Sequence, residues 1–182
     1  FILVSGRCLA NKRAPVQGRF RDPLSPPVSG LVSSNLGENA MNESFLTFER
    51  RGAVGLVTLD RPEALNALNR DMCVAMAAHL AQWAGDASVC TVVVRGSGRA
   101  FCAGGDMRAV YHSVREGSAA ARDFFRDEYR LNRAIRHFPK PYVALLHGFV
   151  MGGGAGISVH GSHRAAGESL AFAMPETGIG MF

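Results

Sequence analysis

Phe101-Cys-Ala-Gly-Gly-Asp106 and Met151-Gly-Gly-Gly154 are two glycine-dense turns, each closely following an apolar, strand-like run: Thr91–Arg95 before the first, Tyr142–Leu146 before the second. Backbone stripped of side chains at a strand's end can bring bare N–H groups against a ligand. Two such places in one domain can aim two donors at one carbonyl oxygen, the construction of an oxyanion hole. One isolated cluster reads equally well as a tight turn. Two clusters with a carboxylate following them, Glu176, point toward chemistry.

Around these turns the pattern is that of an α/β domain. Phe45–Arg50 alternates apolar and polar residues and Ala53–Leu59 is a second strand, so a hairpin through Arg51-Gly52 is expected. Asp60-Arg-Pro62 breaks the strand. Leu68, Met72, Met76 and Leu80 recur at helical spacing and predict a helix over 68–84. The β-branched run Thr91-Val-Val-Val-Arg95 reads as a buried strand. A second helix is expected between Ser118 and His137, ended by Pro139 and Pro141. Tyr142–Leu146 is another buried strand, and Gly152–Gly154 leads into a short helix through Val159. No internal sequence repeat is visible.

Composition narrows the function classes. At 182 residues the chain is long enough for one well-buried core. The net charge of +5 is concentrated at the start, where residues 1–40 carry +3 and the remaining 142 only +2. A nucleic-acid partner would call for a basic stripe with interleaved aromatics, and the later part has none. The cysteines, Cys8, Cys73, Cys90 and Cys102, are far apart with no CxxC pair, which favours reduced thiols over a disulfide frame or a zinc site. The apolar runs fall short of the roughly 20 residues of a membrane span, so a soluble protein is expected. Gly152, Gly153, Gly154 and Gly156 do not form G-x-G-x-x-G, because the position three after Gly154 is Ile157. Ser158, in Gly-Ile-Ser-Val-His, lacks the second glycine of a nucleophile elbow, and neither a P-loop nor HExxH occurs. A carboxylate near backbone donors remains. Glu176 in Phe172-Ala-Met-Pro-Glu-Thr177 is a candidate for a raised pKa and for acid, base or nucleophilic work, or else a solvated loop carboxylate. Glu128, inside the second predicted helix, reads by itself as a surface charge.

The chain resembles the crotonase (enoyl-CoA hydratase/isomerase) superfamily, and within it the 3-hydroxyisobutyryl-CoA hydrolases. The resemblance runs from about Arg50 to Phe182. It rests on Leu59-Asp-Arg-Pro-Glu-Ala-Leu-Asn-Ala-Leu68, Phe101–Asp106, Phe124-Phe-Arg-Asp-Glu-Tyr-Arg-Leu-Asn132, Lys140-Pro-Tyr-Val-Ala-Leu145, Met151–Gly154, Ser158-Val-His-Gly161 and Ala173-Met-Pro-Glu-Thr177. The first element and the glycine turns are superfamily-wide; the elements around Glu128, His160 and Glu176 are particular to the hydrolases. The resemblance implies a crotonase-like spiral of β-β-α units, truncated at its C-terminus. It implies that the Gly105 and Gly153 N–H groups form the oxyanion hole, with the positive end of the helix beginning at Gly152–Gly154 adding to it. It further implies that Ala103, Gly104, Asp106 and Gly152 help hold the coenzyme A thioester, that Glu176 is the catalytic carboxylate, and that Glu128 contacts substrate. The last implication reverses the surface-charge reading of Glu128.

Two departures from the family pattern matter. Hydratases carry a catalytic Glu two residues after the Gly-Gly-Gly run, where this chain has Gly156. Hydrolysis asks for one carboxylate, to attack the thioester or to activate water, and releases coenzyme A. The pattern also continues past Phe182 with Pro-Asp-Val-Gly, so residues 41–182 are read as an incomplete domain whose C-terminal region closes the pocket and could mediate a homo-oligomer. Residues 1–40 hold four of the eight prolines and begin at Phe1. They are read as a poorly ordered segment upstream of a start at Met41, which suits a bacterial cytoplasmic enzyme, or as a mitochondrial matrix leader. The expected activity is hydrolysis of 3-hydroxyisobutyryl-CoA in valine breakdown, with no cofactor beyond the coenzyme A of the substrate, no metal, and neither nucleic acid nor membrane as partner. The rivals are an enoyl-CoA hydratase or isomerase, and a non-catalytic acyl-CoA-binding protein.

Overall fold

Alternating side chains make the first hairpin, β1 (Leu46–Arg51) and β2 (Val54–Leu59), which turns at Gly52 with a φ of 61°. The computed structural model describes residues 45–180, so the expectations for 1–40, for Met41 and for the last two residues lie outside the described residues. Asn69 caps α1 (Arg70–Gly85) by accepting a hydrogen bond from the Met72 N–H. This helix lays Met72, Cys73, Met76, Leu80 and Trp83 into the core. Gly55 of β2 stands beneath the Trp83 ring, where a Cβ would come within 2.8 Å of it.

The remaining elements repeat a single theme. β3 (Thr91–Gly96) is followed by β4 (Ala100–Cys102), then by α2 (Met107–Arg115) and α3 (Ala120–Arg136). β5 (Tyr142–Leu146) is followed by β6 (Phe149–Met151) and α4 (Gly153–Val159). β7 (His163–Ala166) is followed by β8 (Ala171–Ala173) and a 3-10 turn over Glu176–Ile179. In each pair the first strand joins a five-stranded sheet of order β1-β2-β3-β5-β7, and the second joins a three-stranded sheet of order β4-β6-β8. Apart from the β1–β2 hairpin, the strand pairs are parallel. The chain therefore climbs in β-β-α turns, the α/β spiral expected from the resemblance. Val92, Val94 and Ala144 are fully buried in the middle of the larger sheet.

Each expected helix and strand is present, with ends shifted by a residue or two. Between the long strands and the glycine turns that closely follow them lie the short strands β4 and β6, which were not anticipated. α2 was not anticipated. Met107, Val110, Tyr111 and Val114 do fall at helical spacing, but the helix is only nine residues long, and Tyr111 and Val114 face outward while Val110 packs against the core.

One buried polar residue ties the loop after β2 to the two sheets. Leu65 and Asn66 both adopt positive φ, 52° and 57°, a region that costs non-glycine residues energy unless the surroundings hold them there. Asn66 is fully buried. Its Oδ1 accepts from the Arg61 N–H at 2.8 Å, while its Nδ2 donates to the carbonyls of Ser97 and Ala100 at 2.9 and 2.8 Å. So fixed, the loop grips the first glycine turn: the Ala103 N–H donates to Leu65 O, the Leu68 N–H to Gly104 O, and the Asp106 N–H to Leu68 O. Replacing Asn66 with Ala strands one buried donor and two acceptors, and should cost about 3 kcal/mol in urea unfolding. Asn66→Asp keeps the Oδ1 acceptor but points an oxygen at two carbonyls, so it should be at least as destabilising. Loss of under about 0.5 kcal/mol in both variants would contradict this role.

Candidate active site

β4 and β6 are adjacent and parallel, with Cys102 registered opposite Val150. The chain therefore leaves both strands at the same end of the smaller sheet, and the two glycine turns emerge side by side. Gly104 has a φ of 119° and Gly152 a φ of 48° with ψ −118°, conformations that favour glycine. A Cβ on Gly153 would lie 3.4 Å from the Gly105 nitrogen, so the two turns approach each other closely. Gly153 is the first residue of α4, a position whose N–H has no partner within its helix. The turn hydrogen bonds use the groups flanking the Gly105 N–H and not that N–H itself. Two neighbouring backbone donors that take no part in the turn hydrogen bonds among the described residues are suited to a developing oxyanion.

These turns form one wall of a cleft of about 470 Å³. The cleft gathers Ala103, Gly104, Gly105, Gly152, Gly153, Glu128 and Glu176, all but one of the residues singled out from sequence. Glu176, half-buried in the 3-10 turn after β8, brings Oε1 to 2.9 Å from where a Gly152 Cβ would stand. Glu128 comes from α3, and its Oε1 occupies the place a Gly153 side chain would need. At 8% exposure it is not the surface charge that its helix sequence alone suggested. Burial pushes its carboxyl above the ordinary range, and the negative charge of Glu176 adds to that. The adjacent Asp127 goes the other way. A 2.8 Å hydrogen bond from Arg70 holds its carboxyl below the usual value, with Arg126 and Arg130 also close.

Asp106 is the site residue that lies outside this cleft. It is the N-cap of α2, accepting from the Ala109 N–H at 3.2 Å, and pairs with Arg61 at 2.8 Å. Partial burial raises its pKa, but Arg61 and the backbone N–H groups outweigh that and hold its carboxyl low. Its side chain is thus engaged in the fold. Cys102, beside the first turn, is no nucleophile candidate: burial pushes its thiol up to about 12, and Cys73 likewise. Among the described residues no group of three or more His, Cys, Asp or Glu could hold a metal ion, and no helix is long and apolar enough to cross a membrane.

Sequence reasoning missed several cleft residues. Phe172 and Met174 expose apolar surface to it from β8 and the segment after. Asn132 lies one turn beyond Glu128 on α3, and its i+4 spacing from Glu128 was the available signal.

The sequence profile described as Enoyl-CoA hydratase/isomerase matches residues 54–182. The chain belongs to the enoyl-CoA hydratase/isomerase family. Among its curated relatives, a Xenopus laevis protein named 3-hydroxyisobutyryl-CoA hydrolase, mitochondrial, is 51% identical over 171 residues, covering 91% of this chain and 44% of the relative. The Danio rerio protein of the same name is 46% identical over 153 residues, covering 84% and 38%. The crystal structure of a carnitinyl-CoA dehydratase from Mycobacterium thermoresistibile superposes with a TM-score of 0.72 at 47% identity, covering 76% of this chain and 41% of that one. The chain spans less than half the length of these relatives. Family membership accounts for the β-β-α spiral and the paired glycine turns together.

The buried Glu128 has a measurable signature. A carboxyl whose pKa is higher folded than unfolded contributes fully below the unfolded value, about 4.3, and that contribution is lost as pH rises through the folded pKa. Stability of the native protein should therefore decline upward from about pH 4.3 through this group. Glu128→Gln should flatten that decline and be more stable than the native protein at pH 7.5, as read by urea unfolding at both pH values. Identical profiles for the two proteins would contradict the burial of a charged Glu128.

Proposed function

We propose that the protein hydrolyses the thioester of 3-hydroxyisobutyryl-CoA, giving 3-hydroxyisobutyrate and coenzyme A. The observation that carries this reading is the close approach of Gly153 to the Gly105 nitrogen, with the Glu176 carboxylate facing the same cleft. In this mechanism the two N–H groups bind the thioester carbonyl oxygen and stabilise the negative charge that develops on it. Glu176 either removes a proton from water as it attacks the carbonyl carbon, or attacks it directly to form an anhydride that water then opens. On both routes a C–O bond forms, the C–S bond breaks and coenzyme A leaves as its thiolate. Glu128 lines the acyl side, and Ala103, Gly104 and Gly152 contact the thioester arm. No cofactor is needed beyond the coenzyme A that the substrate carries. A second depression, lined by Arg61, Arg99 and Arg108, shares Gly105 and Met107 with the cleft. Glu63 and Asp106 line it too and pair with Arg61, which leaves Arg99 and Arg108 as the groups that support a substrate with a phosphate-bearing tail. The names of the curated relatives support the choice of hydrolysis and of acyl group.

Enoyl-CoA hydration is the second reading. The pair of carboxylates, Glu128 and Glu176, in one cleft favours it, while Gly156 in place of the hydratase Glu weighs against it. For location, the mitochondrial names of the curated relatives support a mitochondrial protein, the alternative to the bacterial cytoplasmic enzyme.

Thiol release from 3-hydroxyisobutyryl-CoA by the full-length protein, with crotonyl-CoA hydration followed alongside, tests the proposal. Thiol release without loss of crotonyl-CoA absorbance is expected, and the reverse pattern would establish a hydratase. Glu176→Gln should lower kcat by at least about 100-fold with little change in acyl-CoA binding. Undiminished turnover in that variant would remove Glu176 from the chemistry.

A further inference from the structure

Helices α3 and α4 meet in a matched register at the cleft. Glu128 of α3 occupies the space left by Gly153 of α4, and Asn132, one turn along α3, occupies the space left by Gly156, three residues along α4. A Cβ on Gly156 would stand 2.7 Å from Asn132 Nδ2 and 3.0 Å from its Oδ1. The residue type at 156 therefore decides whether the amide of Asn132 can sit there. That amide is idle within the fold: Oδ1 is buried with no hydrogen-bond partner, and no hydrogen bond among the described residues uses Nδ2. Buried side-chain amides are normally paired, so an unpaired one lining a cleft calls for a partner that the fold itself does not supply. The cleft lining there includes the apolar Phe125, Ala155 and Val159, with Tyr129 and His160, both exposed, as further polar side chains.

We infer that Asn132, in the room left by Gly156, reads the hydroxyl group on the acyl chain of the substrate, an inference that rests on the proposed thioester hydrolysis. An amide offers one acceptor and two donors, and a rotation about its last torsion exchanges which faces the cleft. A hydroxyl both donates and accepts, so it can pair with either face. Phe125, Ala155 and Val159 offer no polar group, and they suit the short carbon skeleton, branched at its methyl group, that ends in the hydroxyl. The two carboxylates then remain for the thioester end, near Gly105 and Gly153. An acyl group without the hydroxyl would leave the amide unpaired, the situation in which enzymes discriminate strongly against the analogue.

The test compares kcat/KM for 3-hydroxyisobutyryl-CoA and isobutyryl-CoA in the full-length native protein, Asn132→Leu, Asn132→Ser and Gly156→Ala, each checked by its melting temperature. The native protein should prefer the hydroxylated ester by at least about tenfold. Asn132→Leu should bring the ratio close to one, and Asn132→Ser, polar but shorter, should retain part of it. Gly156→Ala, which displaces the amide, should lower the ratio without touching Asn132 itself. If Asn132→Leu does not fold, the serine and alanine variants decide. A native ratio below about threefold, or a ratio unchanged in the variants that fold, overturns the role of Asn132 while leaving the hydrolase reading intact. No thiol release from either ester by the native protein would overturn both.

Discussion

The three hydrogen bonds of the buried Asn66 side chain hold the site together from behind. Asn66 lies in a loop with two successive residues at positive φ, a conformation the loop would not keep alone. Its amide anchors that loop to the end of β3 and to β4, and the loop's own backbone then clamps Ala103, Gly104 and Asp106. The first glycine turn has no side chains with which to anchor itself. Its position is set by backbone hydrogen bonds to residues about forty positions earlier, which makes the Leu59–Leu68 segment as much a part of the site as the turn itself.

The second turn is positioned by a different force, the parallel pairing of β4 with β6. Strand pairing brings two loops nearly fifty residues apart to the same end of one small sheet, and the missing Cβ atoms let their backbones approach closely. Where a turn has no side chain, a neighbour's can enter. Glu128, Asn132 and Glu176 each stand where a side chain on Gly153, Gly156 or Gly152 would have been. The glycines thus have two functions, presenting bare N–H groups and leaving room for the polar groups that face them.

Charge divides along α3 in the same way. Asp127 and Glu128 are neighbours in sequence but lie on different faces. Asp127 meets Arg70 and Arg130 and is held ionised, whereas Glu128 is buried against α4 near another carboxylate and, among the described residues, has no ion pair. A fold optimised for stability alone would not place an unpaired Glu there. Its cost is consistent with a site that raises the pKa of an acid facing a ligand.

Local pattern alone carried the helices 70–85 and 120–136, the hairpin and the two long parallel strands, because each spans enough residues for its periodicity to register. The resemblance of short motifs supplied the spiral and the roles of the paired glycines and of Glu176. The three-residue strands β4, β6 and β8 were not legible, since no period can develop over so short a length and their partners are remote in sequence. Nor was the burial of Glu128 legible from its helix: an acid in the run Phe-Arg-Asp-Glu-Tyr-Arg looks solvated until α4 is laid against it. The amino-acid sequence by itself determined which segments become helix or strand and where backbone N–H groups are left bare, because these follow from side-chain periodicity and from missing Cβ atoms. Tertiary structure alone decided which bare groups meet, that Asp106 caps a helix and leaves the cleft to others, and that Asn132 lies idle beside Gly156. These depend on non-local strand pairing and helix packing, which a one-dimensional pattern does not contain.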